Sequence, residues 1–230
     1  MLIFINMGAG GSVARDLFDK LARRYDEWYI RHRDLYRAEL EAVAALGCAG
    51  GVEVGVGSGR FAGPLGLRAG VDVSRGMLKL APRELDLVEA AAESLPLRRG
   101  AYPCALFVVT LCFLQDPAKA LAEAAEAAER VVACIVPRGS PWGLYYVAQA
   151  AAGHPFYSHA KFYTVAEVVE MAKAAGLTPA RAVAALEGGP PGGYERPRPV
   201  SLEEAERYGF ACVEFIKRSR EGRHEGGGRH

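Results

Sequence analysis

The stretch Val52-Glu53-Val54-Gly55-Val56-Gly57-Ser58-Gly59-Arg60-Phe61 changes character halfway along. A short apolar run interrupted by one acid gives way to glycine at every second position, 55, 57 and 59. Glycine reaches positive φ without steric cost and lets a ligand come close to the backbone, and a helix that follows offers N–H groups lacking partners. The stretch therefore predicts a strand, a tight turn shaped to receive a ligand, and a helix from Phe61 to Leu65. A charge inside an apolar run is costly to bury without a partner, so a ligand-related role is expected of Glu53.

Working outward, the next apolar run, Ala69 to Val73, carries Asp72 at its tip, thirteen residues beyond Gly59. An acid at the end of the second strand is placed to accept hydrogen bonds from both ribose hydroxyls of a nucleoside lying across the strand ends. The glycine spacing then separates two nucleoside cofactors. A nicotinamide-binding turn is normally GxGxxG, whereas here the pattern is GxGxG, with Arg60 where the third dinucleotide glycine would fall. This favours S-adenosylmethionine (SAM) over a dinucleotide.

Further runs at Leu87 to Ala90, Ala105 to Thr110 and Arg130 to Val136 read as strands, separated by helical stretches at Arg75 to Leu80 and Pro117 to Glu129. That alternation implies βαβ units and a parallel sheet. Upstream, Leu17, Phe18, Leu21, Tyr25, Trp28 and Tyr29 recur at helical spacing, and a second helix is expected from Asp34 to Leu46. Downstream, Thr164 and Glu167 form a capping box for a helix ending at Gly176. Two last strands, Arg181 to Leu186 and Phe210 to Lys217, flank Gly188 to Pro199, whose glycines and prolines are expected to exclude regular structure. A single domain over 13–218 is expected, with an extension at 1–12 and a polar, disordered tail at 219–230.

These motifs, taken together and in order, resemble the class I SAM-dependent methyltransferases. Besides the glycine turn, the likeness includes Phe18-Asp19 through Tyr25-Asp26, Gly70 to Met77, Ala92-Glu93-Ser94-Leu95-Pro96-Leu97 and Asp116-Pro117. The blocks Thr110 to Phe113 and His154 to Tyr163 are similar to a subgroup of uncharacterised prokaryotic methyltransferases. The resemblance implies an α/β, Rossmann-like three-layer sandwich with a seven-stranded sheet, order 3-2-1-4-5-7-6, strand 7 antiparallel. It also implies that Gly55, Gly57 and Gly59 form the cofactor turn, that Asp72 holds the ribose and that Met77 packs near the adenine. Tyr25 would reach the methionine carboxylate, and Thr110 would border the sulfonium. Ala91 stands where the family has an acid, leaving Glu93 to supply an adenine contact. Tyr102-Pro103-Cys104 likewise replaces an FDxV-like segment.

Methyl transfer from a sulfonium needs no metal and no covalent enzyme intermediate, so acceptor residues are poorly marked in sequence. The densest cluster of aromatic and titratable groups is Gly153 to Tyr163, on the side of the sheet where open α/β folds bind ligands. It is read as a lid over the acceptor, with His154, Tyr157 and His159 as candidate catalytic groups and the histidines as candidate bases. The five cysteines lack metal-ligand spacing and are expected to be buried free thiols, Cys112 included.

Basic and acidic residues number 28 and 27, so no excess charge attracts a polyanion, and a small-molecule acceptor is expected rather than nucleic acid. No apolar run suits a membrane span, and a cytoplasmic monomer or homodimer is expected. One asparagine and two glutamines suggest a thermophilic source. The rival readings are a SAM-binding module without turnover and a nicotinamide-dependent oxidoreductase.

Overall fold

The computed structural model describes residues 11–218; the tail expected over 219–230 and most of the extension expected over 1–12 lie outside them. Two helices lead in, α1 (Gly11–Arg31) and α2 (Arg33–Ala44). On α2 the buried positions Leu35, Ala38, Glu39, Ala42 and Val43 follow three- and four-residue spacing, so one stripe faces the core and one acid lies on it.

The strands that follow are β1 (Val52–Val54), β2 (Ala69–Asp72), β3 (Asp86–Glu89), β4 (Ala105–Val108) and β5 (Arg130–Ile135). They pair in parallel, as their crossover connections require. Next come β6 (Leu177–Ala185), β7 (Arg198–Val200) and β8 (Phe210–Lys217), in a sheet of order β3-β2-β1-β4-β5-β8-β6-β7. The last strand runs antiparallel between β5 and β6. This is the expected Rossmann-like order with one strand added. Arg198 and Pro199, expected to be irregular, pair with β6 at the sheet edge. Proline is tolerated there because an edge strand has one row of unpaired backbone groups.

Helices complete a layer on each face. On one side α4 (Pro117–Ala127), α6 (Val165–Ala174) and the short α7 (Leu202–Ala205) pack on Phe107, Val131 and Phe215. On the other, α2 and Trp142 pack on Leu106, Val132 and Phe210. The capping box of α6 forms as expected between Thr164 and Glu167.

Three local expectations are corrected. The segment from Phe61 to Leu65 is a run of turns rather than a helix, since Pro64 has no N–H to continue the ladder. The helix α3 (Arg75–Leu78) stops two residues short of Leu80. A helix not anticipated, α5 (Pro141–Ala151), is capped by Ser140, whose side chain accepts from the Gly143 N–H; the Ser-Pro pair was its available signal.

The cysteines also depart from expectation: Cys48 pairs with Cys104 and Cys134 with Cys212, and only Cys112 is free. The partners lie 56 and 78 residues apart in the chain, so local spacing could not reveal them. Cys134 and Cys212 face each other in the β5–β8 register.

Candidate active site

The glycine turn leaves β1 at the centre of the sheet, and its three glycines do different work. A Cβ on Gly55 would lie 2.3 Å from Thr110 Cγ2, so Gly55 lets the ends of β1 and β4 meet. Gly59, at φ +74°, packs on Pro82, where a Cβ would come within 2.5 Å. Gly57, at φ +54°, lies over the buried Met77 and donates its N–H to Asp72 Oδ2 at 2.8 Å. The other Asp72 oxygen accepts from the Ser74 N–H, also at 2.8 Å. Burial raises the Asp72 pKa while these N–H bonds oppose the rise.

Glu53 is buried, and its Oε2 has no hydrogen-bond partner. Burial, opposed by a backbone bond from Ala62 and aided by the charge of Asp72, pushes its carboxyl well above the usual range. An orphaned buried carboxylate oxygen beside a ligand-receptive turn suits a group that brings its own donors, such as the ammonium of a methionine moiety.

Helix α1 is strapped across the strand ends by two acids whose roles the sequence reading missed, Asp26 at the glycine turn and Asp19 at the start of α3. Asp26 accepts from Ser58 Oγ at 2.6 Å and from Arg60 Nε and Nη2 at 2.7 and 2.6 Å. Asp19 accepts from Ser74 Oγ at 2.7 Å and the Gly76 N–H at 2.6 Å. Arg60, which stands where a dinucleotide-binding turn would carry glycine, thus serves the strap. Spacing within α1 could have flagged Asp19 and Asp26, since seven residues bring both to one face.

The strap also carries aromatic groups to the end of β4. Phe18 meets Phe113 at 5.1 Å and Phe156 at 5.7 Å, and Tyr25 meets Phe156 at 5.3 Å between ring centroids. The segment 153–163 therefore closes against α1 through Phe156. It is tied to the loop after β4 by the Lys161 N–H, which donates to the Cys112 carbonyl at 2.7 Å. His154 stacks on Tyr157 at 4.1 Å, and its Nδ1 accepts from the Phe156 and Tyr157 N–H groups at 3.3 and 3.4 Å. Burial, with the nearby charge of Arg24, lowers the His154 pKa. His159 is exposed in the same one-turn 3-10 helix as Tyr157.

The Tyr25 and Tyr157 hydroxyls are both pushed up by burial, that of Tyr157 to about 12. The buried Cys112 thiol is pushed up to about 12 by the same cause, which leaves it protonated and a poor nucleophile. Glu93 accepts from the Gln115 and Asp116 N–H groups at 3.1 and 3.4 Å, so in this arrangement its carboxylate orders the loop after β4. Val109, between β4 and Thr110, adopts φ +50°. Such a conformation is costly for a β-branched residue, and strain of this kind gathers at functional sites.

Comparison with known proteins agrees with this geometry. Residues 52–132 match the family model described as a methyltransferase domain. A crystal structure from Thermotoga maritima, described as a SAM-dependent methyltransferase and possible histamine N-methyltransferase, is 30% identical with a TM-score of 0.80. It covers 88% of this chain, which in turn covers 99% of it. An uncharacterised protein of Methanocaldococcus jannaschii is 34% identical over 167 residues, 70% of this chain and 81% of that protein. An uncharacterised Mycobacterium tuberculosis protein is 36% identical over 181 residues, and the match spans 74% of this chain but only 61% of the longer relative.

The fold and glycine turn define a nucleoside-cofactor transferase of the Rossmann-like type. The chain belongs to the class I SAM-dependent methyltransferases, and its cofactor is SAM. The orphan oxygen of Glu53 fits that cofactor.

Proposed function

We propose that the enzyme methylates a small-molecule acceptor held between α1 and the segment 153–163, with that segment acting as a lid. The observation that carries this reading is the Phe18–Phe156–Tyr25 cluster, which walls the end of β4 with aromatic faces belonging to two different elements. Aromatic faces gathered from two elements suit a compact organic molecule better than a polymer. The description of the Thermotoga maritima protein as a possible histamine N-methyltransferase supports a small acceptor as well.

In this reading Asp72 holds the ribose, Met77 lies under the adenine, Tyr25 and Glu53 meet the methionine end, and Gly55, Gly57, Gly59 and Thr110 shape the path. Glu93 acts at the adenine side through the loop it orders. When bound, SAM supplies an activated methyl group on a sulfonium. The chain's own residues align the acceptor, exclude water and accept a proton where the acceptor must lose one. His154 is the favoured base: its pKa lies below the usual histidine value, so it is neutral at pH 7. Tyr157 and the exposed His159 are the other lid candidates.

Near-balanced charge supports an acceptor other than nucleic acid. Among the described residues no helix is long and apolar enough to cross a membrane. We further propose a cytoplasmic enzyme from a hot habitat, acting as monomer or homodimer. Intracellular disulfides are characteristic of hyperthermophiles, so the two pairs and the scarcity of Asn and Gln support one source. The test is a SAM-methyl transfer screen on a metabolite extract, with the products identified by mass. Transfer confined to protein or nucleic acid fractions would overturn the small-molecule reading.

A further inference from the structure

Glu39 stands in the middle of α2, on the stripe that faces the core, and is only 9% exposed. Its carboxyl has no hydrogen bond or ion pair with any described residue, and its pKa rises to about 8 from burial alone. A lone acid of this kind is expensive and calls for a partner or a purpose.

Its flanking stripe residues Leu35, Ala38, Ala42 and Val43 belong to a cluster against which Tyr29 of α1, Tyr36 of its own helix, Tyr146 of α5 and Tyr157 of the lid pack. Burial raises the hydroxyl pKa of each of these and of Tyr25, and the Glu39 carboxyl adds to the rise. The rings form two sets, Tyr25–Tyr29–Tyr36 at 5.9 and 5.3 Å and Tyr146–Tyr157 at 4.4 Å, joined through Phe156 and His154. Tyr25 meets Phe156, which stacks on Phe18, and Phe18 meets Phe113 just beyond β4, so the group is continuous with the place where a methyl acceptor would lie. Tyr29 and Tyr36 feel Glu53 as well, so the two acids share neighbours. Glu53 faces the glycine turn and is accounted for by the cofactor. Glu39 is not.

A carboxylate set among aromatic rings is the arrangement that selects an organic cation, since the ring faces and the acid both favour positive charge. We propose that Glu39 is the specificity residue of the acceptor site and that the acceptor carries a cationic nitrogen, held as an ammonium by Glu39 within the tyrosine wall. The inference rests on the small-molecule reading given above. Burying an acid here without its cation costs stability, and the cation removes that cost when it binds.

The test uses the full chain saturated with S-adenosylhomocysteine, titrated calorimetrically with alkyl- and arylalkylammonium ions and their neutral alcohol isosteres, such as phenethylamine against 2-phenylethanol. The ammonium probes are expected to bind at least tenfold more tightly. In buffers of different ionisation enthalpy at pH 7, binding should release close to one proton, because Glu39 must ionise to pair with the cation. Glu39→Gln should abolish both the preference and the proton release while S-adenosylhomocysteine affinity stays within twofold. Equal binding of charged and neutral probes, or a preference that survives in Glu39→Gln, overturns the proposal. So does a loss of S-adenosylhomocysteine binding in a folded Glu39→Gln protein, which would assign the acid to the cofactor. An ammonium probe that binds through Glu39, alongside methyl transfer found only on macromolecules, would instead overturn the small-molecule reading.

Discussion

The Gly57 N–H donates to Asp72 Oδ2 at 2.8 Å, joining the cofactor turn after β1 to the acid at the tip of β2. One carboxylate thus fixes the turn from the position we propose for ribose binding. Asp72→Ala is expected to weaken S-adenosylhomocysteine binding by about 1.5 to 3 kcal/mol, the range for a lost charge-assisted hydrogen bond. Calorimetry checks this, and unchanged affinity would remove Asp72 from the ribose.

Gly57→Val tests the turn from the other side. The new Cβ would start 3.0 Å from Met77 Cε at φ +54°, where a β-branched residue carries about 1 to 3 kcal/mol of strain. A lower melting temperature and loss of cofactor binding are expected together. A folded variant with normal affinity would mean that Gly57 serves the packing of the turn alone.

The lid should separate from the cofactor site. His154→Ala and His159→Ala are each expected to leave S-adenosylhomocysteine affinity within about 0.5 kcal/mol, as for substitutions outside that site. Transfer to an identified acceptor should fall by roughly 10²-fold wherever a base is lost, with the greater fall at the more enclosed His154. Full transfer rates in both variants would return the segment to a structural role.

Glu39 makes a prediction about stability that needs no substrate. Its folded pKa, about 8, lies above the ordinary carboxylate value, so the folded state holds its proton more tightly than the unfolded chain. The stabilisation is complete below the unfolded pKa, near 4.3, and is lost as pH rises through the folded one. Between these limits the wild type should lose up to about 1.4 kcal/mol per pH unit relative to Glu39→Gln. Chemical unfolding of both proteins from pH 5 to pH 8 measures the difference. Parallel curves would show that Glu39 does not titrate with folding.

Reduction of the two disulfides should destabilise the protein. In the chain-entropy model, closing loops of these lengths contributes about 4 kcal/mol each. Thermal unfolding with and without reductant, repeated on Cys48→Ala and Cys134→Ala, separates the two contributions. No change on reduction would show that the pairs add nothing to folding.

The parts of this site that depend on neighbours in sequence were readable, and those that depend on the fold were not. The turn from Gly55 to Gly59 and the acid Asp72 announce themselves because strand, turn and strand tip follow one another in the chain. The Arg60–Asp26 bridge spans 34 residues and the cysteine pairs 56 and 78, distances over which spacing carries no signal. Glu39 falls between. Its place four residues from Leu35 and from Val43 puts it on the apolar stripe of α2, but only the packed structure shows that no described residue pairs with it. The edge strand β7 was hidden by its proline, and α5 by its weak amphipathic pattern.

One consequence follows from α1 lying across both halves of the site. Asp26 fastens it to the glycine turn and Asp19 to the start of α3, while Phe18, Tyr25 and Tyr29 on the same rod belong to the wall we propose for the acceptor. A ligand that shifts the rod from either side alters the pocket of the other. On the proposed placement, cofactor and acceptor are thermodynamically linked, and whatever factor one contributes to the affinity of the second, the second must return to the first.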